Sequence, residues 1–321
     1  MLDKDYIVYF DNAMDVISDM TVFVEVVAAG GMTAAGRRLN LSAAVVSKRI
    51  ANLEERLDVR LLNRTTRRLS LTDEGAGYYV RCKSILEDIE DAEAALSGLA
   101  GHVKGTLKIT APSSFGRKHI SRLLPEFLKQ YPDVSIQVSL TDQIVDMVQS
   151  GFDLAIRTGE LKDSSLIARK LSPARRVVCA SREYLAKEGV PEHPQDLIHH
   201  NCLVLGYPGG VHDHWHFKGP EGQIDVKVKG NLETNNGEIL RDATKAGIGI
   251  AIKSTWDIAD ELKAGELIPI LRDFELPSAA VYALYPNREH LPAKTRSFID
   301  FLEGKFGSEP YWDRGISLKD I

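Results

Sequence analysis

Cysteine is scarce. The 321 residues hold only Cys82, Cys179 and Cys202, too few and too scattered for a disulfide framework, so a reducing cytoplasmic setting is expected. No apolar run approaches the roughly 18 residues of a membrane span, and no basic-then-apolar leader opens the chain. A phosphate-binding glycine loop, a GxSxG elbow and an HExxH pair are all missing. No catalytic residue is therefore nominated, and neither cofactor nor metal is expected. His212, His214 and His216 share one side of a strand, which raises a metal site. Trp215 and Phe217 fill the alternate positions, however, so the better reading is a half-buried hairpin with an exposed histidine face. Net positive charge is also lacking: the formal charge is −5, which taken whole argues against a polyanionic partner.

The local distribution reverses that argument. Between Arg37 and Thr72 nine Lys/Arg stand against the three acids Glu54, Glu55 and Asp58, an asymmetry typical of a nucleic-acid-binding patch. The remaining composition, 44% hydrophobic and 26% charged, is that of a globular chain with room for two or three domains.

Residues 1–13 show no helical period and precede Met14, where a helical pattern begins. Met14 reads as a natural start, or the segment as a loose extension; an extra strand or helix turn is the plainer alternative. Val16, Met20, Phe23 and Val27 then mark one helix face. A short helix spans Thr33 to Leu39, Asn40-Leu41 makes a tight turn, and Ser42 caps a third helix running to about Leu57. Helix, short helix, turn, helix is the helix-turn-helix order. Val46, Ile50, Leu53 and Leu57 face the core of that third helix. Ala44, Lys48, Ala51 and Asn52 point the other way, flanked by Ser42, Ala43 and Ser47. Small residues permit close approach to a major groove, and Lys48 reaches a guanine edge or a phosphate. A solvated helix face is the competing reading of Lys48 and Asn52.

Apolar pairs flank the basic tip Arg64, Thr65, Thr66, Arg67 and Arg68, as in a β-hairpin wing laid on a sugar-phosphate backbone. Thr72 caps a long helix whose first turn carries Asp73 and Glu74. Tyr79, Cys82, Leu86, Ile89, Ala92, Leu96 and Leu99 form a near-heptad stripe along it, which asks for a partner helix and predicts a homodimer.

The run GGMTAAGRRLNLSAAVVSKRIANLEERLDVRLLNRTTRRLSLTDEG, Gly30 to Gly75, closely resembles the DNA-binding domain of the LysR-type transcriptional regulators. One departure is Ala43-Ala44, where family members often carry Pro, Gln or Ser; it leaves the base preference open. The resemblance implies a sequence-specific regulator that binds double-stranded operator DNA, a tetramer on an interrupted palindrome, and a C-terminal domain that senses a small-molecule effector.

Beyond a glycine-rich hinge at 98–105, strands and helices alternate. Expected strands are Thr106–Ile109, Val134–Leu140, Phe152–Ile156, Leu203-Val204, Ile248–Ile252 and Ala280–Tyr285. Expected helices include a stripe through Ile120 and Leu128 kinked at Pro125, then Gln143–Ser150, Glu238–Ala246, Trp256–Leu262 and Ala293–Phe306. Such alternation reads as α/β with largely parallel sheets in two lobes. Here TAPSSFGR, LTDQIVDMVQSGFDLAIRTGEL and NNGEILRDATKAGIGIA loosely resemble the family's sensor domain, which implies a two-lobed, periplasmic-binding-protein-like effector domain. The expected organisation is an extension (1–13), an all-α winged helix-turn-helix (14–72), a linker helix (73–97), the hinge, the effector domain (106–308) and a tail (309–321). The tail's SEPYWD resembles a subset of the family and carries no readable chemistry.

Two segments offer helix N-termini and hydroxyl or amide groups at strand ends: Ser113, Ser114 and Phe115, and Asn235 and Asn236 after Thr234. Ordinary helix capping is the competing reading of both. Thr141, Asp142, Arg157, Thr158 and Tyr207 follow other strands and complete a candidate cleft. Few acids lie there, Arg157 offers a countercharge or pairs with a neighbouring acid, and Phe115 and Tyr207 offer apolar cover. A small organic acid, bound through its carboxylate between the lobes, is the expected effector. The alternative is a solute-binding transport protein sharing the C-terminal fold; an enzyme with a DNA-binding appendage finds no nucleophile to support it.

Overall fold

The computed structural model describes residues 4–64, 69–96, 103–143, 145–160, 166–207, 210–286 and 291–316. The chain divides into two compact units, residues 1–102 with 148–151, and residues 103–147 with 152–321.

In the first unit the core is made where helical stripes meet. Helix α1 (Lys4–Ala28) contributes Val22, Phe23 and Val26, and α3 (Ala43–Leu57) contributes Val46, Ile50 and Leu53, all buried. Between them α2 (Met32–Leu39) ends on Asn40, whose left-handed backbone (φ 55°, ψ 37°) turns the chain as its short amide side chain allows. The turn is tight: a Cβ on Gly36 would lie 2.6 Å from the Leu41 carbonyl oxygen. Strands β1 (Leu62–Arg64) and β2 (Leu69–Leu71) pair antiparallel as the wing. The Glu54 carboxylate accepts from the Leu61 and Leu62 N–H groups at 2.9 and 3.1 Å, fixing the wing to α3.

Two expectations change here. The backbone of residues 4–13 is helical and continuous with α1, so the segment is extra helix turns, not an irregular extension. Extending an existing helix needs no new nucleus, and so demands less of the sequence than starting one. The stripe on α4 (Asp73–Leu96) is likewise not all one seam. Cys82 is fully buried in the winged-helix core, with Tyr78 and Tyr79 packed against that core. Further along the helix Leu86 and Ile89 are half-buried; the side chains of Ala92 and Leu96, and Leu99, lie outside the described residues.

The second unit has two lobes. In the first, a five-stranded sheet runs in the order β4 (Val134–Leu140), β3 (Gly105–Ala111), β5 (Leu154–Gly159), β15 (Ala280–Pro286), β6 (Leu166–Pro173). β3 is parallel to β4 and β5, but β15 is antiparallel to β5 and β6. The sheet is therefore mixed, not largely parallel, because the chain returns from the second lobe in the opposite sense. Helices α5 (Ser113–Phe115), α6 (Ser121–Gln130) and α11 (Ala293–Phe306) flank it, and Leu107, Ile109, Phe127, Phe298 and Leu302 fill its core. Between α5 and α6 the residues Gly116–Ile120 form a π-helical turn, an irregularity frequent at functional sites. Pro125 lies within α6, just beyond it. Helix α7 covers only Met147–Ser150; the expected helical start at Gln143 is loop, where Thr141 Oγ1 accepts from the Gln143 N–H at 3.2 Å.

The second lobe is built on β7 (Arg176–Ser181), flanked antiparallel by β13 (Ala251–Ser254) and β14 (Leu267–Ile270). Helix α8 (Arg182–Glu188) follows β7. A second small sheet joins β12 (Glu233–Thr234) parallel to β8 (Val204–Tyr207), with β9 (Gly210–Val211) antiparallel. Strands β10 (His214–Gly219) and β11 (Gly222–Lys227) make the expected hairpin: Trp215 and Phe217 are buried, while His214 and His216 are exposed and face Asp225. Helix α9 (Gly237–Lys245) carries Leu240 into this lobe. Helix α10 (Thr255–Ala264) serves both lobes, with Trp256 and Ala259 in the first lobe's core and Ile258 in the second's. Burial pushes the Cys179 and Cys202 thiols up to about 12, so both remain protonated.

Candidate functional site

The first site is the exposed side of α3. Ser42 caps the helix, its hydroxyl accepting from the Val45 N–H at 3.2 Å. Once Val46, Ile50 and Leu53 are committed to the core, the 100° step per residue leaves the opposite side bare. Ser42, Ala43, Ala44, Lys48 and Asn52 are exposed and Ser47 is half-buried. Not all of the basic patch is available: Arg38 pairs with Glu25 at 2.8 Å, and Arg49 with Ser18 and with Asp19 at 3.5 Å. These two arginines tie α2 and α3 to α1, while Arg37, Lys48, Arg56 and Arg60 stand exposed. Arg64 ends β1, while Thr65, Thr66, Arg67 and Arg68 lie outside the described residues.

Thr72 locks the wing to the long helix. Its hydroxyl donates to the Arg60 carbonyl at 2.7 Å and accepts from the Gly75 N–H at 2.9 Å. A Cβ on Gly75 would fall 2.0 Å from the Leu61 carbonyl oxygen, so this close approach requires glycine.

The second candidate site lies where the two lobes of the second unit meet. The Ser113 N–H donates to Asp142 Oδ1 at 3.1 Å. Asn236 caps α9, its Oδ1 accepting from Glu238 and Ile239 N–H at 2.9 and 3.1 Å, and Thr234 Oγ1 accepts from the Asn236 N–H at 3.1 Å. Asn236 thus caps its own helix, whereas the Ser113 N–H is held across the sheet end by Asp142 and not by a helix cap. The two segments also abut: Ser114 Oγ lies 3.5 Å from where a Cβ on Gly237 would stand. Ser114 is buried and its hydroxyl has no hydrogen-bond partner. Burying a hydroxyl without a partner is costly, a state Ser114 shares with Thr110, Thr255 and Thr295.

Phe115 is not ligand cover. It is fully buried, edge-on to Trp256, Phe306 and Trp312 at centroid distances of 5.1, 5.8 and 6.1 Å. Arg157 and Thr158 are half-buried on β5, and Arg157 Nη1 donates to the Ile156 carbonyl at 3.0 Å. Burial pulls the Arg157 guanidinium below its usual range, and the Asp142 carboxylate acts in the opposite sense. Thr141 and Asp142 are half-buried and Asn235 is exposed; Tyr207 ends β8, and its side chain lies outside the described residues.

The sequence reading missed the charges that join the lobes. Arg117, on the π-helical turn, donates through Nε to Glu238 Oε1 of α9 at 2.9 Å. Lys118 donates to the Asp257 carbonyl at 2.6 Å. Lys253, buried on β13, donates to the Gly237 carbonyl at 2.6 Å and pairs with Asp257 at 2.5 Å, while Arg241 holds the other Asp257 oxygen at 3.0 Å. A lysine at an inward-facing strand position was the available signal. An open groove of about 660 Å³ beside α8 and β14, lined by Leu185, Val190, Ile268 and Phe274 among others, contains none of the nominated residues. Among the described residues no cluster of His, Cys, Asp and Glu is arranged to hold a metal ion, and no helix is long and apolar enough to cross a membrane.

Two family descriptions match the chain: "Bacterial regulatory helix-turn-helix protein, lysR family" over residues 17–76 and "LysR substrate binding domain" over residues 100–307. The Escherichia coli transcriptional regulator DmlR is 38% identical over 298 residues, covering 92% of this chain and 96% of that protein. The Escherichia coli transcriptional activator AaeR is 34% identical, with 91% and 94% covered. Among solved structures, the LysR-type regulator CrgA of Neisseria meningitidis is 32% identical with a TM-score of 0.58, covering 91% of this chain and 99% of that one.

Proposed function

Because the chain belongs to the LysR-type transcriptional regulators, we propose that α3 and the wing read a specific operator under the control of a small organic acid bound between the lobes of the effector unit. The observation that carries the DNA half is the exposed face of α3. Ala43 and Ala44 admit the helix to a major groove, Lys48 and Asn52 contact base edges or phosphates, and Ser42 and Ser47 flank them. Arg64, Thr65, Thr66, Arg67 and Arg68 clamp the backbone without reading sequence. The part of α4 from Leu86 onward pairs two chains, and paired dimers form a tetramer.

The acid is supported by Asp142. A carboxylate already sits on the Ser113 N–H, so an incoming acid meets the same chemistry there and releases Asp142 toward Arg157. On this reading Ser114, Thr141, Thr158, Asn235, Asn236 and Tyr207 supply the remaining contacts to the acid. Regulation follows if the acid favours one lobe arrangement over another. The test replaces Ser113 with Glu and screens organic carboxylates, amines and neutral compounds by thermal shift. Wild-type stabilisation by a carboxylate, lost in Ser113→Glu while operator binding persists, is the expected result. Stabilisation by cations or neutral compounds alone contradicts it.

A further inference from the structure

The tail beyond α11 is not an inert end. Pro310 and Trp312 are buried, and Trp312 packs against Phe115, His119 and Phe306 at centroid distances of 6.1, 4.8 and 5.3 Å. On either side of Trp312 a polar group grips a different part of the effector unit. Tyr311 bonds His119, which stands on the π-helical turn continuing from Ser113 and Ser114. His119 Nε2 is 3.0 Å from the Trp256 carbonyl. A carbonyl only accepts, so Nε2 carries the proton and Nδ1 accepts from the Tyr311 hydroxyl. The buried Asp313 carboxylate accepts from Arg175 Nη1.

Arg175 occupies a special position, because the chain passes from the first lobe to the second there, between β6 and β7. The return passage from β14 to β15 lies beside it. The Ala174 N–H donates to the Ala279 carbonyl at 2.9 Å and Arg176 Nη2 donates to the Pro277 carbonyl at 2.6 Å. The Thr255 N–H, opening α10, donates to the Arg175 carbonyl at 2.8 Å. Residues 174–176 and 277–279 are thus the hinge of the two lobes, and Asp313 holds it from outside.

We infer that Pro310–Asp313 is a strap that couples the helical run beginning at Ser113 to the crossover between the lobes, and so limits how far they move. Its regulatory meaning rests on the effector reading above; its mechanical claim does not. Tyr311 and Asp313 are positioning residues: neither lies in the candidate ligand site, and each acts through a partner, His119 or Arg175. Trp312 supplies the apolar anchor, so the two polar grips can be removed without emptying the core.

Hydrogen exchange on the full-length protein, with no ligand added, tests this directly. Asp313→Asn and Tyr311→Phe should each speed exchange at the Ala174 and Thr255 amides by about tenfold, the signature of local opening. The core amides of Ile109 and Val226 should keep their wild-type rates, and Asp313→Glu should restore slow exchange at the hinge. Unchanged hinge amides in both variants would overturn the strap. A uniform rise across the effector unit would also overturn it, by reducing the tail to core packing. Either result leaves the Ser113→Glu test of the effector site standing, and failure of that test leaves the exchange result intact.

Discussion

Helix α3, proposed to face DNA, and the segments proposed to face the effector draw on the same small vocabulary of Ser, Ala and Asn, yet the fold treats them oppositely. On α3 the residues Ala43, Ala44, Lys48 and Asn52 stand exposed, and the core behind them is wholly apolar. At the lobe junction Ser113, Asn236 and Asp142 are engaged with one another or with their own backbone. A surface for a rigid, extended polyanion is made by leaving groups bare. A site for a small molecule within a closed domain holds its polar groups on internal partners, because buried unpaired groups are costly. On the proposed function, ligand binding there exchanges partners at Ser113 and Asp142, and the Ser114 hydroxyl, without a partner in the ligand-free protein, gains one.

That contrast is sharpened first by the core under α3. Ile50→Ala should destabilise the DNA-binding unit by about 2–5 kcal/mol, measured by denaturant unfolding, and abolish DNA binding by unfolding rather than by lost contact. A fall below about 1 kcal/mol would mean that the site collapses around the deletion, and that the face opposite depends little on this core.

The effector unit carries a matching test in His119. Burial lowers it to about 4; Lys118 and Arg122 add to that, while the Trp256 carbonyl and Asp257 oppose it. The unfolded chain, with an ordinary value near 6.5, therefore binds more protons than the folded one between about pH 6.5 and 4. Stability is full above that window and should fall through it by at most about 3 kcal/mol. His119→Gln, which keeps a donor for Trp256 and an acceptor for Tyr311, should flatten that limb of the unfolding curve. An unaltered limb would assign the acid sensitivity to other groups.

On the DNA side, Lys48→Ala should cost about 1–3 kcal/mol on preferred sites and change base preference. Arg67→Ala should weaken preferred and random duplexes alike and lower the salt slope by about one. Fluorescence anisotropy at several salt concentrations separates the two; identical behaviour would merge the helix and the wing into one nonspecific patch.

The smallest effect belongs to Thr72. Thr72→Val removes the bond to the Gly75 N–H and should cost about 1 kcal/mol of thermal stability, with base preference untouched. A change in preference would mean that the cap sets the angle of the wing.

How far these regions were legible in the sequence follows the same divide. The core stripe of α3, the Asn40 turn and the wing were readable because each is a local pattern: a helical period, a left-handed residue, alternation between turns. The His214–Phe217 alternation gave its hairpin in the same way. Periodicity identified an apolar face on α4 but not what covers it, so Tyr79 and Cys82 were assigned to a partner helix when they pack on their own unit. Phe115 failed for a related reason: an aromatic at the start of a helix looks alike whether it faces a ligand or Trp312. The mixed sheet, the Lys253–Asp257 pair and the Arg175–Asp313 grip join residues far apart in sequence, and no local pattern encodes them. The Ser113–Asp142 bond was half visible, since both residues were nominated but not as partners.

The most direct test of the central claim is selection of duplex DNA from a random library by the full-length protein, alongside Ile89→Asp. The account predicts that the wild type enriches an interrupted palindrome, and that Ile89→Asp, with a carboxylate placed in the seam of α4, enriches at most a single half-site. Enrichment of no sequence by the wild type, or of the same palindrome by both proteins, would contradict it.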